Sequence, residues 1–268
     1  MIKIVNKVYF THQENRMKNE GEVQKSINYF KTSNNKNLKF LLLNRYEWMK
    51  EFIKNHHHGI EIGAGAGFSK IYLKYKNFKI SDIHNYNHLD IKNLDAYNTM
   101  FKDQELDYVI ESNVIHHLSY PLRCIKEVHR ILKPNGLFII QDLNCSFFLQ
   151  LITIIMKHEG FDFTSDVWNE DKSAIREDDP WSANEAIPNL LFDDKDKFEK
   201  HLGNLFEIKF FRRTEFLTLI NSGGVISKTK YIPLPKILLV FFKKIDEFLI
   251  KLFPSIFAMQ MQIVLRKK

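Results

Sequence analysis

The chain has 268 residues, 44% of them hydrophobic and 26% charged, which is typical of a globular protein with a full core. Its net charge of +7 comes mostly from scattered lysines without an arginine-aromatic surface, so no nucleic-acid partner is expected. The two cysteines, Cys124 and Cys145, make neither a disulfide framework nor a metal-binding pair. No apolar run reaches the ~20 residues of a membrane span. A cytoplasmic location is therefore expected.

The charge is distributed unevenly along the chain. Residues 159–199 carry 13 acidic and 4 basic side chains, whereas residues 223–268 carry 9 basic and 2 acidic ones. The acidic segment favours an amine or polyol ligand over a strongly anionic one. The excess of basic over acidic side chains in residues 223–268 equals the net charge of the whole chain.

The first part of the chain predicts a helical cap followed by alternating strands and helices. Residues 1–57 have apolar residues at helical spacing and form the expected cap. Residues 58–145 alternate strand and helix patterns, which implies parallel β-α-β units with a ligand at the carboxyl ends of the strands. The predicted strands are 59–62, Phe78–Asp82, one within Tyr86–Asp95, Asp107–Ser112 and Leu137–Gln141, and the predicted helices are Phe68–Tyr75 and Tyr120–Leu132.

The second part of the chain completes the same domain. Residues 146–205 open with a predicted helix, Phe147–Met156, and continue as an acidic, turn-rich segment that is expected to cover the substrate. Residues 206–268 are predicted to add a strand at Phe206–Phe211, a helix at Leu234–Phe253 and a last strand at Gln260–Leu265.

Three glycines at alternate positions follow the first predicted strand of the core. The sequence Glu61-Ile-Gly-Ala-Gly-Ala-Gly67 brings backbone without side chains to the carboxyl end of that strand. Such a strand-to-helix turn predicts a ligand-binding loop. A nicotinamide dehydrogenase would have a Gly-x-Gly-x-x-Gly spacing instead, which argues against that alternative.

Together with two further motifs, this turn resembles the class I S-adenosylmethionine-dependent methyltransferases, in particular their type 11-like domain. The further motifs are Leu106-Asp-Tyr-Val-Ile-Glu-Ser-Asn-Val-Ile-His-His-Leu118 and Glu127-Val-His-Arg-Ile-Leu-Lys-Pro-Asn-Gly136. The resemblance covers residues 58–142. It implies a Rossmann-like, mostly parallel seven-stranded α/β sheet with an antiparallel last strand and helices on both faces. It also implies S-adenosyl-L-methionine as cofactor and S-adenosyl-L-homocysteine as product.

The resemblance implies a set of cofactor-binding residues. Asp82 lies 19 residues beyond Gly63, close to the offset at which an acid meets ribose hydroxyls. Only Ile83–His88 separate Asp82 from the next predicted strand, so the ribose role of Asp82 stays open. Asp90 is the alternative to Asp95 for the place beside the adenine. Glu61 is either a cofactor contact or a solvated acid at a strand end. The implied set is Glu61, Gly63, Ala64, Gly65, Gly67, Asp82, Ile83, Asp95, Ala96 and Asn113.

Candidate catalytic and substrate residues follow the fourth strand and lie in the acidic segment. His116 and His117 are either general bases or packed residues of the strand-helix junction, and both interpretations stay open. The acidic segment offers an aromatic platform with polar neighbours, suited to a sugar, although an ordinary surface loop is equally compatible. The candidate substrate residues are His158, Glu159, Trp181, Asn184 and Glu185.

The acceptor is the least determined part of the prediction. We expect methyl transfer to an oxygen or nitrogen of a small polar molecule, first a sugar, nucleotide-sugar or surface-glycan precursor. The alternatives are N-methylation of a small amine or lipid headgroup, and a non-catalytic regulatory protein that binds the cofactor. The helix within 234–257 could lie on an anionic membrane, although packing on the sheet with its lysines outward is favoured. No metal site is expected, since the adjacent His56, His57 and His58 point to alternate faces.

Overall fold

The computed structural model describes residues 2–15, 22–179, 182–226 and 228–268. Trp181, a predicted substrate residue, lies outside the described residues. The strands are β1 (Lys7–Tyr9), β2 (Gly59–Ile62), β3 (Phe78–Ile80), β4 (Leu106–Ser112), β5 (Leu132–Leu143), β6 (Gly160–Asp162), β7 (Phe206–Thr214) and β8 (Gln260–Lys267). The α-helices are α1 (Val23–Thr32), α2 (Lys36–Glu47), α3 (Ser69–Tyr72), α4 (Pro121–Ile131), α5 (Phe147–Met156), α6 (Ile187–Phe192), α7 (Lys195–Leu202), α8 (Leu217–Ile220), α9 (Lys236–Leu252) and α10 (Pro254–Phe257), with 3-10 turns at Trp48–Glu51 and Ile115–His117.

The main sheet confirms the predicted Rossmann-like class. Its strands lie in the order β3-β2-β4-β5-β8-β7, and the neighbours from β3 to β5 are parallel. The last strand, β8, runs antiparallel to both β5 and β7. The carboxyl ends of β2, β3, β4 and β5 therefore meet at one edge of the sheet.

The described sheet has six strands where seven were expected. The strand predicted within Tyr86–Asp95 is reduced to one parallel bridge between Ser81 and Ile91. A parallel crossover takes about a dozen residues or more, and the few residues after β3 are too short for one. The Asp90 carboxylate also accepts a hydrogen bond from the Ile80 amide at 2.9 Å, which holds this segment at the edge of the sheet.

Helices cover both faces of the sheet, so that the molecule has three layers. Neighbouring residues of β4 show the division, because Val109 packs on one face and Ile110 on the other. Helices α4, α6 and α7 pack on the Val109 face, and α2 packs with the residues around α3 on the Ile110 face. Since both faces are buried, the middle residues of the inner strands are apolar, as at Val109-Ile110 and Phe138-Ile-Ile140.

The N-terminal part of the chain contains a strand as well as helices. Strand β1 pairs antiparallel with β6, which lies in the segment expected to cover the substrate. Gly160 permits this pairing, because a Cβ there would lie 2.4 Å from the Val8 carbonyl oxygen. Helix α2 is tied to the end of β7 by a buried ion pair between Arg45 and Glu215 at 2.7 Å. Strand β1 is thereby attached to β6, and α2 to the end of β7.

Helix α9 packs through one side only. Leu239, Asp246 and Ile250 are buried, and the Asp246 carboxylate caps α8 by accepting from the backbone amides of residues 216–218. The opposite side carries exposed apolar residues as well as the lysines that were expected to face outward. Among the described residues, no helix is both long and apolar enough to cross a membrane.

Candidate active site

The glycine turn after β2 forms an open loop. Gly63, Gly65 and Gly67 have φ values of 70°, 50° and 66°, in the left-handed region that side chains disfavour. A Cβ on Gly63 would lie 2.6 Å from Val114 Cγ2, whereas a Cβ on Gly65 would meet no atom within 4 Å. The loop thus packs against the end of β4 at Gly63 and leaves space beside Gly65, where a cofactor could approach the backbone.

Asp82 connects the end of β3 to this loop. Its Oδ2 accepts a hydrogen bond from the Gly65 amide at 2.9 Å, and its Oδ1 accepts one from the His84 amide at 3.0 Å. The neighbouring residue Ile83 is 58% exposed. An acid beside the loop and an uncovered apolar surface fit a ribose and an adenine. The ribose role of Asp82 stays a prediction.

Asp95 and Asp90 occupy different environments. The Leu94 amide donates to the Asp82 carbonyl oxygen at 2.9 Å, which brings Asp95 and Ala96 next to the end of β3. The Asp95 carboxylate accepts from the Tyr97 amide at 2.8 Å and is otherwise exposed. Asp90, in contrast, is paired with Lys70 and with the backbone of β3. Asp95 is therefore the freer of the two to contact a ligand.

Glu61 is buried under the loop, so the alternative of a solvated acid at a strand end does not fit the structure. The Ser69 hydroxyl donates a hydrogen bond to its carboxylate. Burial raises the pKa of Glu61 to about 8, with Asp82 adding to the effect, so this carboxyl group is mostly protonated at neutral pH. Whether Glu61 contacts the cofactor stays a prediction.

Asn113 directly follows β4 and begins a row of buried amides that was not predicted from the sequence. It has a φ of 57°, and its Oδ1 accepts from Gln260 Nε2 at 3.0 Å. The row continues from Gln260 through Gln141 and Gln262 to Arg212, in steps of 2.6 to 3.0 Å. Arg212 lines a cavity of about 640 Å³ between α2, α9 and β7. The sequence does contain a signal for this row, because Gln260 and Gln262 occupy alternate positions of the predicted last strand.

His116 is buried at the same edge and is held by Asp142, which the sequence analysis also missed. The ring Nδ1 lies 2.5 Å from Asp142 Oδ1, and Asp142 Oδ2 accepts from the amides of Val114 and Ile115 at 3.1 and 2.8 Å. Burial alone would lower the pKa of His116, but the Asp142 carboxylate raises it to about 8. The available signal for Asp142 was an acid at the carboxyl end of a predicted strand.

Three histidines surround Glu159. Its carboxylate oxygens lie 3.8 Å from His116 Nε2, 3.7 Å from His117 Nε2 and 3.5 Å from His158 Nε2. Burial would raise the pKa of Glu159, but the three imidazoles lower it to about 2, so that it is ionised. We call these four residues the histidine cluster. It contains both predicted catalytic histidines and two of the predicted substrate residues.

Glu185 and Asn184 lie behind the histidine cluster. Thr153 Oγ1 donates to Glu185 at 2.6 Å, and burial together with the Glu159 charge raises the pKa of Glu185 to about 8. Asn184 is fully buried. Its Oδ1 accepts from the Asp162 amide and its Nδ2 donates to the Ala174 carbonyl, at 2.8 and 3.0 Å. Its amide is therefore engaged within the covering segment, and a substrate contact by either residue stays a prediction.

The glycine loop and the histidine cluster are neighbours. Gly63 packs against Val114, and His116 follows two residues later in the 3-10 turn after β4. A ligand cradled at Gly65 and a molecule at Glu159 would therefore share one edge of the sheet.

Comparison with known proteins identifies the same region. Residues 60–140 match a family model described as a methyltransferase domain. A curated relative, demethylmenaquinone methyltransferase of Staphylococcus saprophyticus, is 33% identical over 75 residues. That alignment covers 28% of this chain and 31% of the relative, so the chain matches less than a third of the length of that protein.

Solved structures support the fold over nearly the whole chain. A methyltransferase from Archaeoglobus fulgidus aligns with a TM-score of 0.51 and 19% identity, covering 85% of this chain and 93% of that one. A possible histamine N-methyltransferase from Thermotoga maritima aligns with a TM-score of 0.52 and 17% identity, covering 92% and 96%. At these identities the likeness concerns the fold alone. Residues 60–140 thus match a methyltransferase domain, and the sheet order around them agrees with the fold of S-adenosylmethionine-dependent methyltransferases.

Proposed function

We propose that the protein transfers a methyl group from S-adenosylmethionine to a small polar acceptor bound at the histidine cluster. The main support for this proposal is that the open space at Gly65 and the partly exposed cluster around Glu159 lie at one edge of the sheet. When bound, the cofactor supplies an electrophilic methyl group and leaves as S-adenosylhomocysteine. Alignment of acceptor and cofactor is the main contribution of the protein to such a reaction.

The residues of the loop fit the cofactor in distinct ways. The backbone at Gly63, Ala64 and Gly65 would face its methionine part, since the position of a Cβ on Gly65 is open. Ile83 would cover the adenine, and Asp82 would orient the ribose while holding the Gly65 amide. Asp95, Ala96 and Asn113 complete the proposed set.

The first candidate acceptor is a hydroxyl group of a sugar, nucleotide-sugar or glycan precursor. The histidine cluster supports it, because imidazoles and a carboxylate can hydrogen-bond a hydroxyl and orient its oxygen. His117 is 46% exposed, so the acceptor could reach the cluster from this side. The proposal includes His116 and His117 as catalytic residues that hold the acceptor hydroxyl.

Two alternatives remain. A small amine or lipid headgroup is favoured by the ionised Glu159 and by the acidic segment, and the Thermotoga maritima neighbour is named for a possible amine acceptor. A regulatory protein would bind the cofactor without turnover. Cofactor labelled in the methyl group, incubated with panels of sugars, nucleotide-sugars and amines, separates the three. Label in a sugar supports the first proposal, label in an amine replaces it, and binding without transfer to any panel member contradicts catalysis on these acceptors.

Two variants at one position test the cofactor site. Gly65→Ala and Gly65→Trp share the backbone strain of a side chain at a φ of 50°, but only tryptophan fills the space beside the loop. We expect calorimetry to show weakened S-adenosylhomocysteine binding for alanine and none for tryptophan, with cooperative thermal unfolding in both. Normal affinity in Gly65→Trp would contradict the assignment.

We propose the following roles for the four parts of the chain. Residues 1–57 cap the edge, 58–145 bind the cofactor, 146–205 cover the acceptor, and 206–268 complete the sheet. The pairing of β1 with β6 supports a joint cover made by the first and third parts. A cytoplasmic location stays a prediction.

We also propose that the exposed side of α9 touches an anionic membrane surface. Ile237, Phe241 and Phe248 are 77%, 56% and 62% exposed and share one side of the helix with Lys244 and Lys251. The proposal predicts sedimentation with vesicles containing phosphatidylglycerol and not with pure phosphatidylcholine. Phe241→Ser combined with Phe248→Ser should abolish sedimentation, whereas Ile155→Ser, at an exposed apolar residue of α5, should not. Equal sedimentation of all variants would refute the contact.

A further inference from the structure

The histidine cluster has the arrangement of a metal site. Nitrogen atoms of His116 and His117 and a carboxylate oxygen of Glu159 all lie within 4.8 Å of one another. The residues come from two distant parts of the chain, the turn after β4 and the residue before β6. Lys157 and Glu159 have left-handed backbones, with φ values of 48° and 51°, a strain that is often found at functional sites.

We propose that Nε2 of His116, Nε2 of His117 and the carboxylate of Glu159 bind a divalent transition-metal ion such as Zn²⁺. Imidazole nitrogen and carboxylate oxygen are common zinc ligands. Three protein ligands with a fourth position left for water or substrate are the usual composition of a catalytic zinc site.

The distances within the cluster fit an ion better than direct hydrogen bonds. The two Nε2 atoms lie 3.8 and 3.7 Å from Glu159 oxygens, longer than hydrogen bonds. Ligand bonds of about 2.0–2.1 Å in a tetrahedron place neighbouring ligand atoms roughly 3.3–3.4 Å apart. The two distances involve different oxygens of Glu159, and the three ligand atoms lie within 4.8 Å of one another, so side-chain shifts of up to roughly 1 Å would close the site around an ion.

Asp142 prepares His116 for this role. When Nδ1–H donates to Asp142, the lone pair of neutral His116 lies on Nε2, which faces Glu159. Two electron-pair donors that face each other need a cation between them, either a proton on Nε2 or a metal ion. A carboxylate that holds the far nitrogen of a ligand histidine is a common arrangement at zinc sites.

The ion would have an open side. His117 is 46% and His158 is 28% exposed, so water, an acceptor hydroxyl or His158 could reach the remaining position. An ion there lowers the pKa of a hydroxyl that contacts it, which would help an oxygen acceptor to attack a methyl group. This last consequence rests on the proposed function, whereas metal binding does not.

The test measures metal binding to protein without an affinity tag and without S-adenosylmethionine. Zn²⁺ is titrated calorimetrically, and Co²⁺ is followed by its visible absorption, which reports coordination by the protein. We expect one ion per chain, and His117→Ala should weaken binding by at least about tenfold. The matched control is His56→Ala, an exposed histidine before β2, which should bind as the unchanged protein does.

A second variant guards against misfolding. Glu159→Gln keeps the shape of the side chain but removes the charge, and it should lose the Co²⁺ spectrum while unfolding cooperatively. Absence of binding in the unchanged protein, or equal affinity in the His117→Ala and His56→Ala variants, would overturn the proposal and leave a proton on Nε2 as the cation. Since no methyl transfer is measured, either result is independent of the proposed function.

Discussion

Replacing Gly63 by alanine tests how closely the cofactor loop packs on the end of β4. The new Cβ would lie 2.6 Å from Val114 Cγ2 and would hold a side chain at a φ of 70°. A left-handed backbone costs roughly 1–2 kcal/mol for an alanine. Crowding in a packed region typically adds about 1–3 kcal/mol. Gly63→Ala should therefore lower the free energy of unfolding by about 2–5 kcal/mol.

A double-mutant cycle separates the two costs. Val114→Ala removes the methyl groups that the new Cβ would strike, so the combined variant should recover the crowding cost of about 1–3 kcal/mol and keep the backbone strain. Urea unfolding gives the free energies, and S-adenosylhomocysteine calorimetry reports whether the loop keeps its shape. Additive effects, within about 0.5 kcal/mol, would refute the close packing of Gly63 on Val114.

Three further predictions concern buried polar groups away from the histidine cluster. Arg45→Met should lower the free energy of unfolding in urea by about 3–5 kcal/mol, because it leaves Glu215 buried without its partner. An unchanged urea midpoint would contradict the ion pair. Burial raises the pKa of Glu111 to about 8, so the folded state holds a proton that the unfolded state loses from about pH 4.5 upward. Unfolding free energy should therefore fall as pH rises from about 4.5 to 8, and Glu111→Gln should make this fall shallower; identical slopes would refute the shift. Asn37→Ala removes hydrogen bonds of 2.7 and 2.9 Å to the carbonyls of Asn221 and Ile232. Trypsin should therefore cleave at Lys228 or Lys230 faster than in the unchanged protein. Equal cleavage rates would show that Asn37 does not hold the segment between Asn221 and Ile232.

The sequence predicted the core because its signals are local. Apolar runs bounded by turn residues marked β2, β4, β5 and β8, and Pro121 and Pro134 bracket α4. The glycine loop was recognisable for the same reason, since consecutive residues determine its backbone. The strand expected within Tyr86–Asp95 was wrong because the segment before it is too short for a crossover, which a count of residues could indicate but not decide.

The site depends on residues far apart in the chain. Asp142 reaches His116 across 26 positions, and Gln260 reaches Asn113 across 147. Nothing in the periodicity of either segment shows these partners. The pairing of β1 with β6 was also missed, because strands of three residues give almost no pattern.

By itself, the sequence determined the fold class and the cofactor loop, because both follow from short-range spacing of apolar residues and glycines. The tertiary structure alone decided that Glu61 is buried, that Asp142 holds His116 and that three imidazoles meet one carboxylate. The physical reason is that burial and charge are properties of neighbours in space. The carboxyl edge of a parallel sheet collects residues from separate segments, and only there do their pKa values and ligand geometry arise.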